Sequence, residues 1–312
     1  MTHHPYRTYR TTVARCEQLS PHFLRVTLTG PDLVHFGTAG LDQRIKLVLP
    51  LPDGSFTDVG QFDESVGMLE WYRRWRELPD ETRNPIRTYT VRAVRPDARE
   101  IDVDFVLHGT EGPASAWASA ATPGAPLVVI GPDGRASETG GLEWSPGDAT
   151  SVLLAGDETA VPAICAIVES LPGHMSGSVY IEVPTEADAL PLAAPAGVDV
   201  TWLARGGTPH GLRLSAAVHA WGETRAAAAP HATAGEATLP AAGDEGAELA
   251  DPDEDEVLWE VPEAASGSCY AWLAGEASTI TALRRHLVRD LGIDRRSIAF
   301  MGYWRRGRAE AA

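Results

Sequence analysis

Cysteine is scarce in this chain and long apolar runs are absent. The three cysteines, Cys16, Cys165 and Cys269, are scattered and odd in number, so neither a disulfide framework nor a Cys-x-x-Cys cluster or zinc site is available. No metal site is expected, and redox chemistry would have to come from a bound organic cofactor. Nothing approaches the roughly 18 consecutive apolar residues that span a bilayer. The opening Met1-Thr2-His3-His4-Pro5-Tyr6-Arg7 lacks the apolar core of a secretion signal, which makes a cytoplasmic location the expectation. Positive charge is short as well: Lys and Arg number 26 against 43 acids, for a net charge of −17. That balance argues against a nucleic-acid partner, which needs a basic face to neutralise phosphates. Gly-x-Gly-x-x-Gly is also missing, so a tight Rossmann-type dinucleotide site is not supported.

The 312 residues suit two ordinary domains better than one large one. Acidity is uneven. Residues 226–256 hold nine acids and no Lys or Arg, leaving −8 for everything else. The segment opens Ala226-Ala227-Ala228-Ala229-Pro230 and has little apolar content to bury, so it reads as a solvated acidic insertion.

The first half has the period of β structure. Phe23 to Thr29 alternates, and Ile101, Val103, Phe105 and Leu107 share one strand face opposite Asp102 and Asp104. With runs at Arg44 to Leu49, Ile86 to Val94 and Leu127 to Ile130, Pro and Gly punctuation predicts about six antiparallel strands in a small barrel. A helical turn is expected after Gly112-Pro113. Beyond Gly147-Asp148 the pattern changes. Ser151 to Ala155 is a short apolar run followed by Val161, Ile164, Val168 and Leu171 at helical spacing, with Pro162 in the first turn. Val179 to Val183, Val198 to Leu203, Cys269 to Leu273 and Ser297 to Met301 are further strands, and Ile280, Leu283, Leu287 and Leu291 mark a helix closed by Gly292. Alternating strands and helices predict a doubly wound, parallel α/β domain. The expected division is 1–146 and 147–312.

Three segments carry chemistry. Arg87-Thr88-Tyr89-Thr90-Val91-Arg92 offers a guanidinium for a phosphate, a flat ring at Tyr89, and a polar edge at Thr90. Alternation puts Arg87 and Tyr89 on one face and Thr90 on the other, so Thr90 is expected to act through its backbone. His108-Gly109-Thr110-Glu111-Gly112-Pro113-Ala114-Ser115-Ala116-Trp117 follows a strand and opens a helix, whose free amides suit a pyrophosphate. Asp157 and Glu158, before Thr159, stand at a strand-to-helix turn where two carboxylates oppose a dianion and favour the helix itself.

In this order the first two segments resemble the flavin site of the siderophore-interacting protein family. The resemblance continues through Ala155-Gly156-Asp157-Glu158-Thr159-Ala160-Val161-Pro162 to Gly302-Tyr303-Trp304-Arg305-Arg306-Gly307 and covers the chain except 226–256. It implies a barrel that binds flavin adenine dinucleotide (FAD), followed by an NAD(P)H-binding-like α/β domain. The implied activity is ferric siderophore reduction with NADH, NADPH or a reduced ferredoxin as donor. For the cofactor, the resemblance designates Arg87, Tyr89, Thr90, Val106, Leu107, His108, Gly112, Pro113, Ala114, Ser115, Trp117, Tyr303 and Trp304. Asp157 and Thr159 become the candidate catalytic-site residues, with no proton transfer required of them. Because ferric siderophores often carry negative charge, a basic pocket is expected, and the implied substrate residues are Lys46, Arg135 and Arg305, with Arg44 and Arg306 nearby. At Gly131-Pro132-Asp133-Gly134-Arg135 the chain departs from the family, which commonly has Arg directly after Gly-Pro. Two alternatives stay open: a general flavin reductase, or a siderophore carrier without flavin.

Overall fold

The computed structural model describes residues 3–63, 65–110, 112–137, 140–228, 258–262 and 268–307. Its first half is an antiparallel sheet of seven strands: β1 (Tyr6–Ser20), β2 (Phe23–Thr29), β3 (Arg44–Val48), β4 (Ile86–Thr90), β5 (Ala93–Arg95), β6 (Glu100–Val106) and β7 (Pro126–Pro132). Their spatial order is β4-β3-β7-β1-β2-β6-β5. β4 and β5 lie at opposite edges of this order, yet only Val91 and Arg92 separate them in the chain, so the sheet has to curl. The single run expected over Ile86 to Val94 is therefore two strands. The bend is held by the Val91 amide, which donates to Gln43 O across one edge, and by the Arg92 amide, which donates to Asp102 O across the other.

Inside the curl, Val26, Leu28, Ile45, Leu47, Val103 and Phe105 are fully buried. Helix α1 (Met68–Arg76) covers part of the outer face, packing Trp71 and Trp75 on Val48, Ile86, Val128 and Ile130. Sequence periodicity missed it because two tryptophans among four charged neighbours make a narrow apolar stripe. Helix α2 (Pro113–Ala120) follows β6.

The second half is a mixed sheet ordered β10-β9-β8-β12-β13-β11, built from β8 (Ser151–Gly156), β9 (Ser176–Val183), β10 (Gly197–Ala204), β11 (Trp259–Glu260), β12 (Cys269–Glu276) and β13 (Ile298–Trp304). Five strands run parallel, and the two-residue β11 pairs antiparallel with β13. Both faces are covered, which is why these strands read as nearly continuous apolar runs. Leu154, Ile181, Trp272 and Met301 face helix α3 (Val161–Ser170), whereas Leu153, Leu273 and Phe300 face α4 (Leu212–Ala228) and α5 (Ala277–Arg284). α5 runs on as a π-helical turn, Arg285–Asp290, and Gly292, expected as the stop, takes φ +66°. α4 extends into the segment read as an insertion; 229–257 lie outside the described residues.

The two halves share a core. Phe23 of the first sheet is buried in the cluster of β8 and α3, with Leu19, Leu41 and Val106 packed against it. Polar bonds reinforce this contact: Arg92 Nη2 lies 2.6 Å from Glu169 Oε1, and Asp188 Oδ1 accepts from Ser20 Oγ at 2.8 Å.

Candidate functional site

In the first sheet, β4 pairs with β3 so that Arg87 faces Leu47 and Tyr89 faces Ile45. Tyr89 is half-buried, and its ring centroid lies 4.6 Å from Phe105, which lies 5.6 Å from Trp117 of α2. The two half-buried rings, Tyr89 and Trp117, thus flank the buried ring of Phe105. Arg87, also half-buried, folds along its strand with Nη1 donating to Ile86 O at 2.8 Å. Thr90 is buried on the opposite face, as alternation requires.

β6 ends at Val106. Leu107 donates its amide to His22 O, and His108 is exposed. Ser115 braces the loop that follows: its Oγ donates to Gly109 O at 2.6 Å and accepts from His108 N at 3.3 Å. The start of α2 has an extended Gly112 at its N-cap, Pro113 at its first position, no acid in its first turn and no side-chain cap. Amides at such a start carry partial positive charge. Ala114 and Ser115 are both buried at their side chains.

The second sheet presents a different surface where its parallel strands end. Asp157, after β8, is 1% exposed. Its Oδ1 accepts from Thr159 N at 2.9 Å and Thr159 Oγ1 at 2.5 Å, and its Oδ2 accepts from Glu276 N at 2.8 Å and Trp304 Nε1 at 2.9 Å. Burial, with the neighbouring Glu158 charge, pushes the Asp157 carboxyl above the usual range. Burial also works against ionisation of Glu158, but His210 and the paired Arg205 guanidinium outweigh it and hold that carboxyl at about 2. Arg205 reaches Glu158 through Nη1 at 2.9 Å and Nη2 at 2.8 Å. His210 Nε2 lies 3.3 Å from Glu158 Oε2 and 3.7 Å from Asp157 Oδ2, its ring edge-on to Trp304. Burial lowers the His210 pKa, yet the bond to Glu158 and the field of Asp157 raise it overall.

Sequence reasoning missed Glu182, Arg205, His210 and Glu276. Glu182 stood unremarked within the strand expected over Val179 to Val183, and it is fully buried beneath the start of α4. The one available signal was a lone acid inside an otherwise continuous apolar strand.

The structure brings Asp157, Thr159 and Trp304 together, while Tyr303 points elsewhere, with its ring 5.9 Å from Trp259 and 6.2 Å from Trp272. Lys46 donates from Nζ to Thr88 Oγ1 at 3.1 Å, on the strand face opposite Tyr89. Arg44 shares the Lys46 face, pairs with Glu143 at 2.6 Å and lies over Trp259. Arg135 is bonded to the buried Asp133 at 2.7 Å, so the aspartate that departs from the family pattern holds it. Arg305 is half-buried just past β13. Among the described residues no group of three or more His, Cys, Asp or Glu is arranged to hold a metal ion.

The half-open Tyr89 ring, the uncapped α2 start and Arg87, on the same strand face as Tyr89, supply the groups that suit a flat ring joined to a pyrophosphate. Two family profiles match the same chain: the siderophore-interacting FAD-binding domain over residues 12–136 and the siderophore-interacting protein profile over 149–307. The chain belongs to the siderophore-interacting protein family. A family relative in Mycobacterium tuberculosis, an uncharacterised protein, is 34% identical over 302 residues, covering 96% of this chain and 90% of its own. The ferric vibriobactin reductase ViuB of Vibrio cholerae is 29% identical over 300 residues, covering 96% and 89%. Among solved structures, a siderophore utilization protein from T. fusca superposes with a TM-score of 0.69 at 25% identity, covering 99% of this chain and 97% of its own. At the level of fold alone, the ferredoxin reductase of carbazole 1,9a-dioxygenase is similar, with a TM-score of 0.54 at 14% identity over 96% of this chain and 70% of its own.

Proposed function

We propose that this protein is an FAD-dependent ferric siderophore reductase acting in the cytoplasm, taking electrons from NADH, NADPH or a reduced ferredoxin. The observation that carries the reading is the open start of α2 beside the partly exposed Tyr89, in a chain of this family. Bound FAD supplies the ability to accept two electrons and release them singly. Arg87 and the backbone N–H groups of Gly112, Ala114 and Ser115 at the start of α2 would hold its pyrophosphate, with Pro113, which has no N–H of its own, fixing the turn. Tyr89, backed by Phe105 and Trp117, would lie against its ring, with the Thr90 backbone at the polar edge and Val106, Leu107 and His108 beside it. Trp304, bonded to Asp157, which Thr159 in turn braces, would limit water at the other side, with Tyr303 supporting it from the neighbouring aromatic cluster.

Two electrons reduce two Fe(III). Fe(II) is held less tightly by the hard oxygen ligands of a siderophore, and the metal leaves. We place the domain division at 1–146 and 147–312, with β4 and β5 acting as one bent strand that closes a six-stranded barrel. The second half would form a doubly wound donor domain, with 226–256 as its acidic insertion. Lys46, Arg135 and Arg305 remain the proposed contacts for an anionic siderophore.

The test is direct. Purified protein should be yellow, release FAD on denaturation, and form Fe(II) from a ferric siderophore, trapped by a ferrous chelator, when each of the three donors is supplied in turn. A colourless protein that binds no added FAD would overturn the reading. Lys46→Glu should lower catalytic efficiency for an anionic ferric complex relative to a neutral one, and an unchanged ratio removes Lys46 from the substrate site.

A further inference from the structure

In a doubly wound sheet, ligands bind outside the carboxyl ends of the strands where the strand order reverses, with a pyrophosphate at a helix start. Here the reversal lies between β8 and β12, and the chain has filled it. The Asp157 carboxylate spans the gap, accepting from Glu276 N on the β12 side and from Thr159 N on the β8 side. The start of α4 is occupied by Glu182, which accepts from Gly211 N at 2.7 Å and from Arg213 N and Leu214 N, both at 3.1 Å. Glu276 occupies the start of α5, accepting from Thr279 N at 3.0 Å. α3 opens behind Asp157 and Glu158, and Pro162 removes one of its early amides. The local cation that would suit a phosphate, Arg205, is committed to Glu158 and Glu182.

We infer that Asp157, Glu158, Glu182 and Glu276 are specificity residues that keep a dinucleotide pyrophosphate off this edge, so the electron donor engages this half of the protein without a seated pyrophosphate. This rests on the reading of the second sheet as the donor side, and it adds which part of a donor that side refuses. Like charges at a site suppress the wrong ligand, the starts of α4 and α5, already satisfied by carboxylates, have no amides to offer, and α3, which has no side-chain cap, is screened by the two acids just ahead of it.

ADP-ribose, which carries the pyrophosphate half of NADH and no redox centre, is the probe. Calorimetric titration into flavin-loaded protein at low salt should give no saturable binding up to about 1 mM. In Glu158→Gln/Glu276→Gln the charges are removed and Arg205 loses its main partner, while each amide oxygen still accepts a hydrogen bond. ADP-ribose should then bind at least about tenfold more tightly than the wild-type limit. Saturable binding to wild type below that limit overturns the inference, as does absence of any gain in a variant that melts like wild type. Should the double variant fail to fold, Glu158→Gln alone is read by the same criterion. The titration involves no iron, so loss of ferric reductase activity with this pattern intact would remove the functional reading and leave the inference standing.

Discussion

Helix α2 in the first half and helices α4 and α5 in the second begin at comparable places, each just beyond a strand or a short loop, but with opposite chemistry. α2 starts from Gly112 and Pro113 with no acid in its first turn and no side-chain cap. α4 and α5 start against Glu182 and Glu276, whose carboxylates already accept the early amides. A helix start attracts anions only while its donors are unspent. The contrast separates α2 from α4 and α5 and supports the proposed phosphate recognition by α2; α3 in the second half also lacks a side-chain cap, but it opens closely after Asp157 and Glu158.

The strongest way to break the contrast is to give α2 what the others have. Gly112→Asp places a carboxylate at its N-cap, where φ is −86°, and an added Cβ would approach nothing closer than His108 Cε1 at 3.2 Å. Flavin content after gel filtration should fall to about a tenth of wild type or less, while the cap stabilises the flavin-free protein by only about 0.3 kcal/mol, because glycine is itself a tolerable N-cap. Unchanged yellow colour would mean that α2 does not hold the cofactor. Arg87→Ala should act in the same direction with about a tenfold rise in the flavin dissociation constant, as expected for one charge-assisted phosphate contact. Fluorescence titration with FAD measures it.

On the other side of the comparison, Gly275 has φ +152°, and a Cβ there would sit 2.6 Å from Asp157 Oδ2. Gly275→Ala should therefore destabilise the protein by about 2 kcal/mol, seen as a lower urea midpoint, because the carboxylate that closes the crevice leaves no room for a side chain. The smallest effect concerns His210. Its folded pKa is raised above the ordinary value of 6.5, so its stabilising contribution is complete below that value and is lost as pH rises through the raised one. The melting temperature of wild type should exceed that of His210→Gln at pH 6, and the gap should shrink toward pH 9; a constant gap would show that the imidazole charge contributes nothing.

These two regions were unequally legible in the sequence. Arg87, Tyr89 and the Gly112 to Trp117 turn were readable because strand alternation and a helix start are local properties. The turn at Asp157 and Thr159 was visible as a strand-to-helix junction, while their candidate site role came from the family resemblance. Glu182, Arg205, His210 and Glu276 come from four places more than 20 residues from Asp157 or from one another, apart from the Arg205–His210 pair, and nothing local says that three of them converge on Asp157 and Glu158. The bend at Val91–Arg92 escaped because alternation carries no information about a strand that changes partners. Helix α4 escaped because its packing face among the described residues rests on Leu214, Val218 and the half-buried Trp221, a sparse stripe within an alanine-rich run.

Asp188 fixes one further property. It lies beyond β9 and is 0% exposed, and its carboxylate meets five groups: Ser20 Oγ, His22 N and His22 Nδ1 from the turn between β1 and β2, and Thr185 N and Oγ1 from its own segment. Swinging the two sheets apart would strip it of the first three, each a bond to a charged acceptor worth roughly 1.5–3 kcal/mol. The carboxylate is therefore placed as a mechanical staple that opposes any widening of the gap between the two halves. Electron passage between them would then run over a path that resists lengthening.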